Sequence, residues 1–511
     1  MASKTSETPS STASGSSLND EDLLARLGYK QEFKRDFSRI ELFGLSFIVG
    51  VVQSIAAVLL FSLPYGGLVG LVWGWFVCCC FLVFVGLAMA ELGSAAPTAG
   101  GLYYWTFKFC SPKYRNLFSW LIGSSGKSPN TFQQLSYVNT SAYIAGMASV
   151  DWGVATQIMA AANIGTDGTF VATTGQTYGV YCALLVMHAM MASLATKVVA
   201  RLQHFYVFLN ITLFLVVVIA LPVMTPKELH NSASFAFGHF ENFSGWNNGY
   251  AFILSFLAPA WTVGGFDTSV HISEEARNAP RAVPFAILSA TIVSSVLGWI
   301  VTIVLALYMG SDLSAVTGNS IGQPMATIFF NSIGKEGTLA IWAFMILTLW
   351  MTGMDYLIAG SRQLFAFSRD KGLPFSVWLY NINSQTKTPV HAVLFLALMA
   401  LLLGLLAHMQ ILKCRKVLVD QKRAEHGVDI YFVHTLYMVF MIIVFLFPAV
   451  PAPSKESMNY TVVVVGGVLA LSLGYYFVPV YGGRHWFSGP VETIAQSEVE
   501  SGDDEKNGGL N

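Results

Sequence analysis

Two aspartates stand where an acid is costly. Asp267 follows Gly264-Gly265-Phe266 inside a long apolar run, and Asp355 sits in another, about two turns before Arg362. A carboxylate so placed can contact a cationic group, carry a proton or hold a gate; otherwise it snorkels to an interface or caps a helix. Glu91 closes a third apolar run, where the interfacial reading is the stronger. Acids and bases alternate just beyond these runs, through His271, Glu274, Glu275, Arg277 and Arg281, and again from Arg362 to Arg369-Asp370-Lys371. Such residues can form ion pairs that open and close, and they can equally anchor span ends. His271-Ile-Ser-Glu274-Glu275 lacks the His-Glu-x-x-His spacing and a third ligand, which argues against a zinc enzyme.

Two apolar runs also carry residues that weaken a helix at mid-depth. The first reads Gly50-Val51-Val52-Gln53-Ser54-Ile55, and the second Ala258-Pro259-Ala260-Trp261-Thr262-Val263-Gly264-Gly265-Phe266-Asp267. Glycine and proline free backbone groups there. A pair of discontinuous helices in corresponding halves is the sequence pointer to a transport site. Freed amides attract a carboxylate, and freed carbonyls a cation. Close packing through small residues is the competing explanation, and it suffices for the first run taken alone.

The elements that must position these residues are membrane spans. Of the 511 residues, 54% are hydrophobic and 11% charged, against about 25% charged in an average soluble chain. So little charge cannot cover a core of this size with a water-facing surface, and lipid is the expected solvent. The net charge of −1 gives no basic field for nucleic acid. The six cysteines form no disulfide framework, and Cys78-Cys79-Cys80 reads as small buried side chains. No metal or other cofactor is indicated.

From Leu42 to Ala90 no charged residue occurs, which is room for two spans broken at Pro64-Tyr65-Gly66-Gly67. Further spans are expected over about 117–150, 178–196, 203–222, 249–272, 283–308, 338–360, 390–408, 431–449 and 460–481. Their continuous apolar runs exclude a β-barrel. Basic residues follow every even-numbered span up to residue 390, which places the N-terminus in the cytoplasm. Two stretches break the pattern: a polar segment at 124–135 with Lys127 and Pro129, and a basic cluster from Lys413 to Arg423. The tails, 1–29 and the acidic 491–511, are expected to be disordered.

Three motifs resemble those of the amino acid–polyamine–organocation superfamily. They are Glu91-Leu92 with Pro97, Gly100-Gly101 and Tyr103; Gly265-Phe266-Asp267 with Glu274-Glu275 and Asn278; and Ser361-Arg362 with Arg369-Asp370 and Leu373-Pro374. Trp73-Gly74-Trp75, Gly238-His239-Phe240-Glu241-Asn242 and Gly322-Gln323-Pro324 look like its fungal amino acid/choline branch, close to γ-aminobutyrate permeases. The resemblance implies an all-α integral membrane fold, a 5+5 inverted repeat of the LeuT type with twelve helices as the norm. Domain 30–490 would comprise one repeat over about 40–222, a second over about 249–430, and accessory helices over about 431–481. The two disruptions reduce the expected helix count to ten or eleven.

The same resemblance implies substrate held between helix breaks at Gly50 to Ile55 and Val263 to Asp267, alternating access, and driving by protons. Gly50, Gln53, Ser54, Ile55, Val263, Gly264, Gly265, Phe266 and Asp267 would contact an amino acid or amine such as γ-aminobutyrate or choline. Asp267, Asp355, Glu91, Glu274, Glu275, Arg277, Arg362 and Arg369 would couple or gate. A fungal plasma membrane is the expected location. Gln53 stands where relatives commonly carry proline. The alternative to a permease is a non-transporting nutrient sensor, or a defective paralogue or splice form.

Overall fold

The computed structural model describes residues 20–47, 50–122, 138–194, 196–369 and 376–409, with 440, 441, 466, 470, 473, 474 and 476–478. The polar stretch at 124–135, the basic cluster at 413–423, nearly all of the last two expected spans and the acidic tail lie outside these residues. Among the described residues the only extended pairings are two isolated β-bridges; all regular structure is helical. Helix α1 (Asp20–Arg26) belongs to a separate unit made of the chain termini, so the N-terminal segment expected to be disordered contains one helix.

The first membrane element is broken. Helix α2 (Arg39–Ser46) starts on a capping box, in which Ser38 Oγ accepts from the Glu41 N–H and Glu41 Oε2 accepts from the Ser38 N–H. It stops before Gly50, whose φ of +63° lies in the left-handed region that glycine favours. Helix α3 (Val52–Val58) then continues into a 3₁₀ turn at Leu59–Phe61. Helix α4 (Gly67–Ala95) is the second element; Glu91 falls within it, one turn before its end. Short helices α5 (Leu102–Phe109) and α6 (Arg115–Ile122) follow.

The third element differs from expectation. It is α7 (Val138–Gly165), whereas the hydrophobic profile places a span at about 117–150. Asn139, Ser149, Asp151, Gln157 and Asn163 depress its hydropathy because they face neighbouring helices or a cavity instead of lipid. Helices α8 (Thr174–Leu194) and α9 (Thr196–Met224) complete the first five elements.

The sixth element follows the short helix α10 (Ala233–Gly238) and is also broken. It comprises α11 (Asn248–Leu254), α12 (Leu257–Thr262) and α13 (Thr268–His271), with Gly265 at φ +81° between the last two. Helix α14 (Ala279–Tyr308) begins after Asn278, with Pro280 in the first turn where no N–H is needed. After α15 (Leu313–Thr317) comes α16 (Pro324–Arg369), interrupted at Gly334. It runs well past the span expected over 338–360, so Arg362 and Arg369 lie on a helix and not in a loop. Helices α17 (Ser376–Leu379) and α18 (Val390–Met409) end the continuous description.

The two β-bridges fix how the broken elements run. Phe37, just before α2, pairs with Ala276, just after α13. Tyr65, just after the first element, pairs with Asn242, just before the sixth. The start of one element therefore adjoins the end of the other at both faces, and the two are antiparallel. They are five elements apart, which is the relation an inverted 5+5 repeat requires.

Packing is tight through small residues. A methyl on Gly298 of α14 would come within 2.0 Å of Trp75 Cζ2 on α4, whose indole N–H donates to Ser295 O at 3.0 Å. Helices α7 and α16 are joined by Trp342, whose indole N–H donates to Gln157 O at 3.0 Å. Five described helices are long and apolar enough to cross a membrane. Cys78 and Cys79 are buried as expected, but Cys80 is exposed on α4.

Candidate functional site

The two breaks face one another. Ser46 Oγ, at the end of α2, donates to Phe266 O in the second break at 3.3 Å. Ser54, Ile55, Val263 and Phe266 are buried, while Gly264, Gly265 and Asp267 are partly accessible. Gly50 cannot be replaced without displacement, since a Cβ there would lie 1.9 Å from Gln53 Nε2 and 2.3 Å from Asn210 Oδ1.

Gln53 serves as a tie between helices. Its Nε2 donates to Asn210 Oδ1 on α9 at 2.9 Å, and its backbone carbonyl accepts from Gln157 Nε2 on α7 at 3.3 Å. On α9, Tyr206 donates to Phe47 O at 3.2 Å. The start of the first break is thus clamped from outside. Asn210, Gln157 and Tyr206 were not legible as site residues, because polar side chains on apolar helices declare no partner in sequence.

The acid of the second break has company. Asp267, with 24% of its side chain exposed, accepts from Tyr143 Oη of α7 at 3.2 Å through Oδ2. His271, one turn on, is buried. Its Nδ1 lies 2.8 Å from Ala99 O, and a carbonyl only accepts, so Nδ1 carries a proton. Its Nε2 faces Asn139 Nδ2 at 3.4 Å and Asp267 Oδ2 at 3.8 Å. In the neutral ring Nε2 accepts from Asn139, and in the charged ring it forms an ion pair with Asp267.

Below this site the acids and bases pair across elements. Arg369 grips Glu274 with two parallel bonds, Nη1 to Oε2 at 2.9 Å and Nη2 to Oε1 at 3.0 Å, and the Ala99 N–H donates to the same carboxylate at 3.0 Å. Arg362 Nε donates to Glu275 Oε1 at 2.6 Å. All four side chains are at most 5% exposed. Arg277 instead turns outward, and its Nε donates to Arg35 O at 3.0 Å, while Arg35 Nη1 donates to Ala276 O at 2.6 Å. This face of the bundle is closed.

The opposite half is open. A cavity of about 840 Å³ is lined by Ala57 of α3 and Phe61 of the 3₁₀ turn after it, Ser149 and Trp152 of α7, Trp261 of α12 and Gln323. Among the described residues no charged side chain lines it, and none of the nine residues at the breaks reaches its wall. The cavity stops at Trp261 and Ala145, within two residues of Val263 and Tyr143.

Two of the sequence-selected acids lie elsewhere. Asp355 is buried between α16 and α9, where its Oδ1 accepts from Gln203 Nε2 at 2.6 Å. Glu91 is exposed beside Pro284 and Leu288, away from the arginine pairs. Sequence reading also missed a buried pair, Asp151 with His188. Asp151 is the only charged residue in α7, a signal hidden by the misplaced third span.

Residues 38–413 match the family described as amino acid permease. The chain is 35% identical to an amino-acid permease of Schizosaccharomyces pombe, over 93% of this chain and 89% of that one. It is 35% identical to the GABA-specific permease of Saccharomyces cerevisiae, over 94% and 87%. Amino-acid permease BAT1 of Arabidopsis thaliana is 29% identical, over 92% and 96%. Among solved structures, MhsT in complex with L-phenylalanine aligns with a TM-score of 0.45 at 12% identity, covering 89% of each chain. With a family match over most of the chain and apolar helices of membrane length, this integral membrane protein belongs to the amino acid permease family and is a transporter of small amino acid substrates, not an enzyme.

Proposed function

We propose that this protein is a secondary active permease, in a fungal plasma membrane with its N-terminus cytoplasmic, for γ-aminobutyrate or a related amino acid or amine such as choline. The observation that carries the reading is the pairing of two antiparallel broken helices, joined by the Ser46–Phe266 bond, with a partly exposed acid at the second break. A substrate carboxylate would meet the backbone amides of Gly50 to Ile55. Its amine would meet Asp267 or the carbonyls near Val263 to Phe266. The likeness to a GABA-specific permease supports this substrate class.

Alternating access follows from the asymmetry of the two halves. One half holds an uncharged cavity and the other is shut by two buried ion pairs. Opening the shut half must expose Glu274, Glu275, Arg362 and Arg369 to water. The driving ion of this reading is the proton, and Asp267 with His271 offers one place where a bound proton and a bound amine would compete for the same carboxylate.

Uptake of labelled γ-aminobutyrate, choline and a set of basic amino acids, with and without a pH gradient, tests the reading in cells lacking such uptake. Gradient-dependent accumulation of one of them is expected. No uptake at normal surface abundance would instead favour the sensor or defective paralogue. Asp267→Asn should lower uptake; unchanged kinetics would remove Asp267 from the mechanism.

A further inference from the structure

Asp151 and His188 form a titratable pair in the interior, remote from the charge cluster at the second break. His188 Nδ1 lies 3.3 Å from Asp151 Oδ2, and both side chains have 0% exposure. Asp151 Oδ1 and His188 Nε2 have no hydrogen-bond partner among the described residues. Two lone polar atoms on one buried pair are expensive unless the pair has a use for them.

The proton count of the pair is constrained by its surroundings. With one proton between them beyond the neutral ring's own, the pair carries no net charge. Losing that proton leaves an isolated carboxylate in apolar surroundings, and gaining another leaves an isolated imidazolium. Four helices, α7, α8, α16 and α18, surround the pair. Asp151 is the only charged residue of α7, and α8 contributes His188 and the phenol of Tyr181, whose hydroxyl donates to Ala400 O of α18. Helix α16 contributes Trp350, whose ring centroid lies 5.3 Å from that of His188, and Asp355, which is bonded to Gln203. Helix α18 carries His391, at one end beside Trp378, and His408 near its other end. Among the described residues, no arginine or lysine is paired with either member.

The pair also bears directly on the helix that carries the gate arginines. At Gly353 of α16 the backbone comes so close that a Cβ would lie 2.2 Å from Asp151 Oδ1 and 2.7 Å from His188 Cε1. The same helix carries Arg362 and Arg369, which close the shut half. On the other side, Ser149, Trp152 and Gly153 of α7 line the open cavity, within one turn of Asp151. Open cavity, buried pair and gate helix are neighbours in that order.

We propose that Asp151 and His188 are a second intramembrane proton site of this permease, apart from Asp267 and His271, loaded from the open cavity and read by α16 through its contact at Gly353. The inference rests on the proton-coupled reading above and names the groups that carry the proton. Gain or loss of that proton changes the charge at the face of α16, and so biases the equilibrium between paired and separated gate residues.

The test uses the full chain reconstituted in liposomes, with labelled γ-aminobutyrate or whichever substrate wild type accumulates. Two quantities are measured: accumulation driven by an imposed pH gradient, and substrate exchange with equal pH on both sides. For Asp151→Asn and for His188→Gln, gradient-driven accumulation should fall by about tenfold or more, while exchange stays within about twofold of wild type. His188→Gln keeps a donor at similar reach and so guards against a folding failure of Asp151→Asn. Proton release or uptake on adding substrate, followed with a pH dye in weak buffer, should be lost in His188→Gln. Retained accumulation in either variant, or exchange and accumulation falling together in both, overturns the assignment. If wild type itself exchanges substrate but ignores the gradient, the proton-coupled reading fails first, and the assignment fails with it.

Discussion

Replacing Arg369 by glutamine should unlock the closed half. Glu274 is 1% exposed and would lose both bonds from Arg369 while its bond from the Ala99 N–H remains. Removing one partner of a buried pair costs about 3–5 kcal/mol, because the remaining charge stays dehydrated. The cost applies only while the half is shut, since opening returns Glu274 to water. At about 1.4 kcal/mol per factor of ten, the shut state loses about 100-fold to a few thousand-fold in its favour. A Ser46→Cys reporter, whose position is 3% exposed beneath the pairs, would read this in a background with the exposed native cysteines changed to serine. In inside-out vesicles a membrane-impermeant maleimide should label it slowly in wild type and fast in Arg369→Gln. Adding Glu274→Gln removes the buried charge that has lost its arginine and should slow labelling again. Equal labelling in all three proteins, or no rescue by the second change, would refute the idea that this pair holds the half shut.

Other consequences are simpler to check. Gly50→Ala should abolish uptake at normal surface abundance, because φ +63° is strained for alanine and its Cβ would strike Gln53 and Asn210. Gly298→Ala should lower the unfolding temperature in detergent, with an overpacking cost of about 1–3 kcal/mol against Trp75; adding Trp75→Phe should recover part of it. Lys335→Gln should leave stability within about 1 kcal/mol, since the Lys335–Asp167 pair at 2.7 Å is half or more open to solvent on one side. A loss of transport in Lys335→Gln would show that this pair gates the open half.

The helix breaks were legible because glycine and proline act locally. Gly50 and Gly264-Gly265 signal a stop whatever surrounds them, and the structure interrupts its helices there, whereas Pro259 sits in the first turn of α12. The acid–base motifs were legible as a set, but not their pairing. Arg362 with Glu275 and Arg369 with Glu274 depend on the phase of α16 against the turn at Ser273–Glu275. Long-range partners such as Tyr143 for Asp267 and Gln203 for Asp355 follow from packing, which one sequence does not encode in its spacing. The third span was misplaced for a related reason. Hydropathy measures affinity for lipid, and α7 is turned largely toward protein and cavity, so its polar residues dilute the signal.

The two β-bridges set a limit on how the breaks can move. Phe37–Ala276 and Tyr65–Asn242 act like the two end rungs of a short ladder whose rails are the broken elements. Rails pinned at both ends cannot be drawn apart without snapping a rung, yet they can tilt together. Opening of either half is therefore expected to carry the first and sixth elements as one body past α7 and α16, so that the surface which slides is the one bearing Tyr143, Gln157 and the gate arginines.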